Sequence, residues 1–304
     1  MTREHIDAAV TPEPVRSGWA ARFRWSLNDL TAREWVRATK SVILQRGLGA
    51  RHPDTKYETR HPCPFSYRDA QNLITFFTRS GEAVLDPFAG VASTLKACAL
   101  SKRLGTGIEL NEEYCDWSQE RLRDEVPPEQ LALYPQRILR GDARAVAGAL
   151  QGDAFDFVLT SPPYWRILSK PPDSKASQSA ALRNGTLAYG DDPRDFASIE
   201  RYEDFVEQMA TFLLSLRRVL GPRRYLAVIV ADFRDGAVLH PYQADLVIAI
   251  REQQREQPCP RQLVLQGISV LVQDQKRLYP YGYPTAYVPN IHHHYILIYR
   301  NIAS

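Results

Sequence analysis

The sequence has few cysteines and no long apolar run. Its four cysteines are scattered without a C-x-x-C pair, which predicts reduced thiols in a cytoplasmic protein and argues against a zinc site built from cysteine. No stretch approaches the roughly 18 to 20 apolar residues of a membrane-spanning helix. The polar first 14 residues contain acids and do not have the pattern of a signal peptide. We therefore expect no membrane association.

A large charge of either sign is also lacking, because the formal net charge is only +3. Residues 1–60 nevertheless hold 11 lysines and arginines against 7 acids, while the remainder is nearly balanced. We predict that residues 1–60 form a basic N-terminal arm and a helix, which begins at the capping box of Thr31 and Glu34 and runs to Gln45. Such an arm can contact phosphate, but an ordinary solvated charged surface explains the charge equally well. Without repeats or a linker-like change in composition, residues 61–304 are predicted to form one domain.

Apolar runs and helical patterns alternate from residue 83 onward. This alternation predicts an α/β fold with a mostly parallel seven-stranded sheet and helices on both faces. The predicted strands are 83–85, 105–109, 137–142, 155–160, 225–231, 263–272 and 295–299. Residues 166–200 have no periodicity, and a loop of this length inside a domain is usually functional or disordered. We assign it to substrate recognition. The amphipathic helical pattern that follows it is predicted to end at Gly221-Pro222.

Three acids fall at the ends of successive predicted strands, namely Asp86, Glu109 and Asp142. In open α/β sheets the ligand crevice lies at the carboxyl ends of the strands. Gly90 permits close backbone approach after the first strand, and Glu109 follows that turn at the distance of a ribose-binding acid. The spacing would equally suit a dinucleotide, although G-x-G-x-x-G is absent. A turn-initiating Asp86 and a helix-capping Glu109 are the plain alternatives.

A second stretch, Ser161-Pro162-Pro163-Tyr164, follows the apolar run 155–160. Two consecutive prolines force an extended backbone and remove two N–H donors, so their carbonyls are left as acceptors. A hydroxyl precedes them and an aromatic ring follows. This arrangement suits a planar group with an exocyclic amine, whereas a simple polyproline turn is the plain alternative.

The two stretches together resemble motifs of the amino-methylating DNA methyltransferases, which use S-adenosylmethionine. Their catalytic motif is (Ser/Asp/Asn)-Pro-Pro-(Tyr/Phe/Trp), and the Ser form is more similar to the N4-cytosine branch than to the N6-adenine branch. Asp86–Gly90 is similar to their Asp-Pro-Phe-(Ala/Met)-Gly, but Val91 to Thr94 depart from the usual Gly-Ser-Gly-Thr that follows Phe-Ala. The match runs from about residue 57 to 300. It implies a Rossmann-like class I methyltransferase fold in which residues 61–304 are catalytic.

The resemblance also implies the site residues. The implied catalytic residues are Ser161, Pro162, Pro163 and Tyr164. The implied residues for binding S-adenosylmethionine are Pro64, Phe65, Asp86, Pro87, Phe88, Ala89, Gly90, Glu109, Leu110, Asp142, Ala143 and Ser161. Within this set, Glu109 would take the ribose hydroxyls and Asp142 would accept from the adenine amine. No metal is implied.

The expected reaction is methyl transfer to N4 of cytosine in double-stranded DNA, with the base flipped out of the stack. The Pro162 carbonyl and the Ser161 side chain would accept from the amine, and Tyr164 would stack on the base. No cysteine lies near the motif, which argues against methylation of a ring carbon. Alternatives left open are N6 of adenine, a base amine in RNA, and an inactive nucleic-acid-binding subunit. The resemblance further implies a bacterial or phage-like, nucleoid-associated protein, with a restriction endonuclease as a conceivable companion.

Two features near the C-terminus have open interpretations. His292, His293 and His294 are consecutive, and because neighbouring residues of a strand point to opposite faces they do not converge on one metal ion. We predict a structural or polar-network role for them. The tyrosines of the loop 278–289 can stack on unpaired bases or pack over a sheet edge, and the sequence favours neither.

Overall fold

The computed structural model of the protein describes residues 26–45, 55–58, 65–166, 192–274, 276 and 278–303. Its helices are α1 (Ala32–Ala38), α2 (Thr55–Glu58), α3 (Tyr67–Phe77), α4 (Ser93–Leu100), α5 (Glu112–Glu125), α6 (Pro128–Leu133), α7 (Ala143–Ala149), α8 (Tyr202–Ser215) and α9 (Tyr242–Glu256). Its strands are β1 (Val42–Leu44), β2 (Ala83–Asp86), β3 (Leu104–Glu109), β4 (Arg137–Arg140), β5 (Phe155–Thr160), β6 (Leu220–Val230), β7 (Phe233–Asp235), β8 (Val238–His240), β9 (Arg261–Val272) and β10 (His293–Ala303).

An eight-stranded sheet has the order β1-β9-β10-β6-β5-β2-β3-β4. The strand β10 runs antiparallel to both of its neighbours, and the other strands are mutually parallel. From β2 the chain winds outward to β3 and β4, and then returns to β5 and β6 on the other side of β2. Strand order therefore reverses between β2 and β5, which is where open α/β sheets bind their ligands.

The predicted Rossmann-like α/β fold is confirmed, with one strand more than the seven expected. The additional strand is β1, whose Val42 pairs with Val270 of β9. A helix was expected to run to Gln45, but α1 ends at Ala38. Backbone bonds from Val270 N to the Ser41 carbonyl (2.7 Å) and from Gln45 N to the Val272 carbonyl (2.8 Å) hold this segment in the sheet. Pairing with β9 outweighs the local helical pattern, a non-local effect.

Both faces of the sheet are covered, as the apolar character of its central strands requires. On one face, Val158 and Leu226 pack with α8 and α9. On the other face, Phe157 and Leu159 pack with α3 and α4. Side chains that alternate along one strand thus enter two different cores, because successive residues point to opposite sides.

The helix α8 buries its apolar stripe, including Phe205, Met209 and Leu213, as its 3.6-residue spacing predicts. Its pattern suggested an end at Gly221-Pro222, but the helix ends at Ser215 and β6 already begins at Leu220. The register between β5 and β6 shifts after Phe155, so this irregular start is absorbed as a bulge. None of the described helices has the length and apolar character needed to cross a membrane. The domain boundary at residue 60 stays a prediction.

Candidate active site

A cavity of about 290 Å³ opens where strand order reverses, at the carboxyl ends of β2, β3 and β5. Its walls combine the two stretches that the sequence singled out, which lie some 70 residues apart. The predicted site residues that line it are Pro87, Phe88, Gly90, Glu109, Leu110, Asp142, Ala143, Ser161, Pro162, Pro163 and Tyr164. Residues of both motifs therefore border one crevice in the structure.

Asp86 lies beneath this cavity and does not line it. Its carboxylate is fully buried and accepts hydrogen bonds from the Thr160 hydroxyl (2.8 Å), the Phe88 N–H (3.0 Å) and the Thr94 hydroxyl (2.5 Å). Burial raises the pKa of Asp86 to about 6, against the opposing effect of these three donors. Asp86 thus links the end of β2 to the end of β5 and to the start of α4 by hydrogen bonds. These bonds stabilise the backbone that surrounds the cavity.

Glu109 lies on the cavity wall at the end of β3. One carboxylate oxygen accepts from the Gly90 N–H and the other from the Asn111 N–H, each at 2.8 Å. Burial raises the pKa of Glu109 to about 7, outweighing these two donors, and the nearby charge of Asp195 adds to the increase. A carboxylate has about four acceptor positions, so acceptor capacity remains for a ligand beyond the backbone donors Gly90, Asn111 and Leu110.

The turn after β2 is held by bonds to its own backbone. Gly90 has φ +50°, a region that L side chains adopt only with strain. Its carbonyl accepts from the Ser118 hydroxyl at 2.8 Å, while the Ala89 N–H donates to the Ile108 carbonyl at 2.9 Å. Ala89 is consequently buried in the packing between α4 and α5 and does not line the cavity.

Asp142 lies at the end of β4 and caps α7. Its carboxylate accepts from the Arg144 N–H at 2.9 Å and pairs with the Arg144 guanidinium at 3.0 Å. The same guanidinium donates to the Arg194 carbonyl at 2.6 Å and lies 4.7 Å from the centre of the Phe196 ring. Arg144 therefore joins the carboxylate at the end of β4 to the segment that closes the cavity from the other side.

This closing segment, residues 192–196, contains none of the predicted catalytic or cofactor-binding residues. Asp192, Arg194, Asp195 and Phe196 line the cavity. Phe196 is buried and its ring makes an edge contact with Phe88 at 5.7 Å. The segment belongs to the loop assigned to recognition, whose residues 167–191 lie outside the described ones. An Asp-capped turn followed by an aromatic residue is the only sequence signal that marks it.

The motif at the end of β5 forms the opposite wall. The Ser161 hydroxyl donates to the Ile229 carbonyl at 3.2 Å, so its hydrogen points toward β6 and its lone pairs stay available. Tyr164 is only 8% exposed and makes edge contacts with the rings of Phe233 (6.3 Å) and Tyr242 (6.4 Å). The ring is thus held in place by residues distant in sequence.

The remaining predicted residues lie away from the cavity. Phe65 is buried between α3 and the sheet, on the face opposite Leu226. Pro64 lies outside the described residues. His294 is largely buried, which lowers its pKa to about 4. In the part of the chain that the structure describes, no group of three His, Cys, Asp or Glu side chains is placed to hold a metal ion.

Comparison with known proteins extends these observations. Residues 28–120 match the family model described as DNA methylase. The chain is 38% identical over 69 residues to the orphan methyltransferase M.BamHII of Bacillus amyloliquefaciens (23% of this chain, 26% of that protein). It is 34% identical over 70 residues to the type II methyltransferase M.HpaI of Haemophilus parainfluenzae (22% of each). The chain thus spans about a quarter of the length of these relatives.

Among solved structures, TrmN of Thermus thermophilus is 16% identical, with a TM-score of 0.46, over 84% of this chain and 55% of that one. The fold assignment itself rests on the strand order given above. The segment matched by the family model contains Asp86–Gly90 and Glu109, the turn and the acid that form one wall of the cavity. The motif resemblance is confirmed for this segment, which is similar to the amino-methylating DNA methyltransferases.

Proposed function

We propose that the protein transfers a methyl group from S-adenosylmethionine to an exocyclic base amine in DNA, most specifically N4 of cytosine. The observation that carries this proposal is that Glu109 and Tyr164 line the same cavity. Its acidic wall offers acceptors for a nucleoside, and its other wall offers acceptors and a ring for a base amine. The N4 assignment rests on the Ser form of the motif, which resembles the cytosine branch.

The residues of the acidic wall suit the proposed cofactor. Glu109 lines the cavity and keeps acceptor capacity beyond its backbone donors, which fits ribose hydroxyls. Asp142 is held in one orientation by Arg144 and offers an acceptor for an amine. Phe88 and Phe196 supply apolar surface for a planar ring.

The chain's own groups would act on the amine from the other wall. S-adenosylmethionine supplies an electrophilic methyl group on a sulfonium. A base amine is conjugated with its ring, so its lone pair must be drawn toward the methyl group. The Ser161 oxygen accepts from one N–H, because its own hydrogen is already donated to the Ile229 carbonyl. The Pro162 carbonyl accepts from the other N–H, and Tyr164 holds the ring plane.

Nucleic acid would approach from the edge of the sheet that carries this motif. The loop between β9 and β10 lies at the same edge, since Tyr295 at the start of β10 pairs with Val230 at the end of β6. Within that loop Tyr283 and Tyr287 are 83% and 90% exposed. Exposed rings at this position support base contacts by stacking. The sequence left this role and packing over a sheet edge equally open.

The proposal is tested by incubating the protein with labelled S-adenosylmethionine and unmethylated DNA or RNA, followed by mass spectrometry of the nucleosides. We expect N4-methylcytosine in DNA. N6-methyladenine would correct the base, and a methylated RNA nucleoside would correct the polymer. Absence of transfer to every nucleic acid would contradict the proposal and favour an inactive binding subunit. A companion restriction endonuclease stays a prediction.

A further inference from the structure

The hairpin formed by β7 and β8 is not explained by the chemistry described so far. Its register pairs Phe233 with His240, Arg234 with Leu239, and Asp235 with Val238. Gly236 occupies the first position of the two-residue turn with φ +58°, a conformation that glycine adopts without strain. The hairpin is therefore a well-defined element with a tight tip.

The base of this hairpin is fixed to the catalytic motif. Phe233 is 6% exposed and its ring contacts those of Tyr164 (6.3 Å) and Trp165 (6.4 Å). The His240 ring stacks on Phe233 at 5.3 Å and approaches Tyr202 at 4.3 Å. Because all these rings pack together, the hairpin has a set position relative to the ring that would face a substrate base.

The tip of the hairpin is apolar and exposed. Val238 is 58% exposed and Leu239 is 45% exposed. The hairpin follows the end of β6, and Val228 near that end pairs with Thr160, the residue before the catalytic motif. The two apolar side chains are thus presented at the same sheet edge as the proposed active site. Transfer of exposed apolar surface of this kind out of water is favourable, so it favours contact with an apolar partner.

A cation accompanies the apolar tip. Arg234 is the cross-strand partner of Leu239 and therefore shares its face of the hairpin. Within the described residues, its Nε is buried and has no hydrogen-bond partner. Arginine beside an apolar side chain fits the surface of nucleic acid, where phosphates lie next to stacked bases. Asp235 is the cross-strand partner of Val238, so these two residues lie on the opposite face from Arg234 and Leu239.

We propose that Val238 and Leu239 form a wedge that inserts into the base stack of double-stranded DNA beside the target base. This inference rests on the proposed function. A base inside a duplex cannot reach Tyr164, so it has to be extruded. Apolar side chains that enter between bases unstack them, and the free energy of unstacking is met by contacts made afterwards. The rigid aromatic base of the hairpin sets the distance between the wedge and the cavity.

The first test compares DNA with and without a base stack. The double variant Val238→Ser and Leu239→Ser is assayed with labelled S-adenosylmethionine on native and on heat-denatured unmethylated plasmid DNA. We expect transfer to native DNA to fall at least about tenfold, equivalent to about 1.4 kcal/mol. Transfer to denatured DNA should stay within about twofold of the unchanged protein, because no base has to leave a duplex.

A matched control carries the same chemical change on two helices that belong neither to the hairpin nor to the cavity. The double variant Val36→Ser and Leu133→Ser alters two residues that are 70% and 71% exposed on α1 and α6. It should match the unchanged protein on both DNAs. An equal loss on both DNAs in the hairpin variant, or no loss on native DNA, would overturn the wedge. No transfer by the unchanged protein to either DNA would instead overturn the proposed function.

The second test measures insertion without methyl transfer. Relaxed plasmid is treated with topoisomerase I in the presence of the protein, and the topoisomers are separated after the protein is removed. Insertion between bases unwinds the duplex, so the unchanged protein should leave negatively supercoiled topoisomers. The Val238→Ser and Leu239→Ser variant should leave fewer at the same amount of bound DNA. Equal distributions for the two proteins would contradict the inference whatever the methylation assay shows.

Discussion

The two halves of the cavity are held in place by different interactions. The acidic half, lined by Gly90, Glu109 and Asp142, is fixed by hydrogen bonds between carboxylates and nearby backbone N–H groups. The aromatic half, lined by Ser161 and Tyr164, is fixed by contacts with residues of β6, β7 and α9. The first is mostly local in sequence, whereas the second depends on packing across the sheet.

This difference has a physical consequence for function. Each carboxylate of the acidic half accepts hydrogen bonds from the backbone and would also accept them from the ligand. Its charge therefore contributes both to the shape of the cavity and to the affinity for the cofactor. In the aromatic half, the hydrogen of Ser161 is donated to Ile229, and the Tyr164 ring is held by other rings. Changes in the acidic half should therefore alter cofactor affinity, and changes in the aromatic half should alter the transfer step.

The largest effect is expected from Tyr164→Ala. Removing the ring eliminates the surface that orients the base, and misplacement of a reacting group costs on the order of 100-fold in rate. Methyl transfer to DNA should fall by at least about that factor, while the dissociation constant for S-adenosylmethionine changes by less than about threefold. Radiolabel transfer and calorimetric titration measure the two quantities.

Loss of packing in Tyr164→Ala is controlled by Tyr225→Ala. Tyr225 lies on β6 and its ring contacts Phe77 at 4.9 Å on the other face of the sheet. Thermal unfolding of both variants measures how much each substitution destabilises the protein. Only Tyr164→Ala should lose more methyl transfer than its loss of stability explains. Full turnover by Tyr164→Ala would refute the role of the aromatic half.

Glu109→Gln should produce the next largest effect, on affinity. The amide offers one acceptor oxygen in place of two, so either the Gly90 N–H or the Asn111 N–H loses its partner. A hydrogen bond to a charged group contributes about 1.5 to 3 kcal/mol. We expect a dissociation constant for the cofactor about 30-fold higher, with a small change in the rate at saturating cofactor.

The exposed Glu113, in the first turn of α5 and four residues after Glu109, provides the matched variant, Glu113→Gln. Its side chain does not line the cavity, so cofactor affinity should be unchanged. If Glu109→Gln bound the cofactor as tightly as Glu113→Gln, the acidic half would have no part in affinity and the comparison would fail.

Cofactor affinity should also depend on pH through Glu109. Burial raises the pKa of this carboxyl to about 7 in the free protein. Hydroxyl donors bind better to the ionised form, so binding lowers this pKa and affinity falls as the pH drops through 7. Between pH 8 and pH 6 the loss should reach about tenfold, the change in ionised fraction for such a group. Calorimetric titrations of the unchanged protein and of Glu109→Gln, which should lack this dependence, measure it.

Much of the fold can be predicted from local patterns in the sequence. The errors of that prediction have non-local causes. The alternation of apolar runs with helical stripes predicts the parallel sheet because each strand carries its own signal. The strand β1 has only three residues and follows a helix without a clear stop, so only its pairing with Val270 to Val272 of β9 defines it. The hairpin of β7 and β8 is equally short. Its turn signal, Asp235-Gly236, is present but lies between strands of three residues.

The candidate site also has features that local sequence predicts and features that depend on residues distant in sequence. The acids at the strand ends were predicted from spacing, and Glu109 and Asp142 line the cavity. Asp86 was predicted in the same way but lies below the wall, because Thr160 and Thr94 bind its carboxylate. Spacing indicates that a side chain lies at a strand end, but not whether other residues cover it. The wall at residues 192–196 depends on the course of a loop without periodicity, which no local pattern predicts.

The smallest effect on cofactor affinity is expected from Arg194→Ala, which removes an exposed charge from the closing segment, residues 192–196. Arg194 pairs with Asp192 at 2.6 Å, and their side chains are 60% and 31% exposed. Exposed pairs contribute about 0 to 1 kcal/mol, so Arg194→Ala should change the dissociation constant for the cofactor by less than about threefold. Arg201→Ala, which removes another exposed arginine away from the cavity, gives the baseline in the same titration. A loss as large as that of Glu109→Gln would mean that the acidic half extends across the cavity to this wall, and that the wall binds the cofactor by charge as well as by the Phe196 ring.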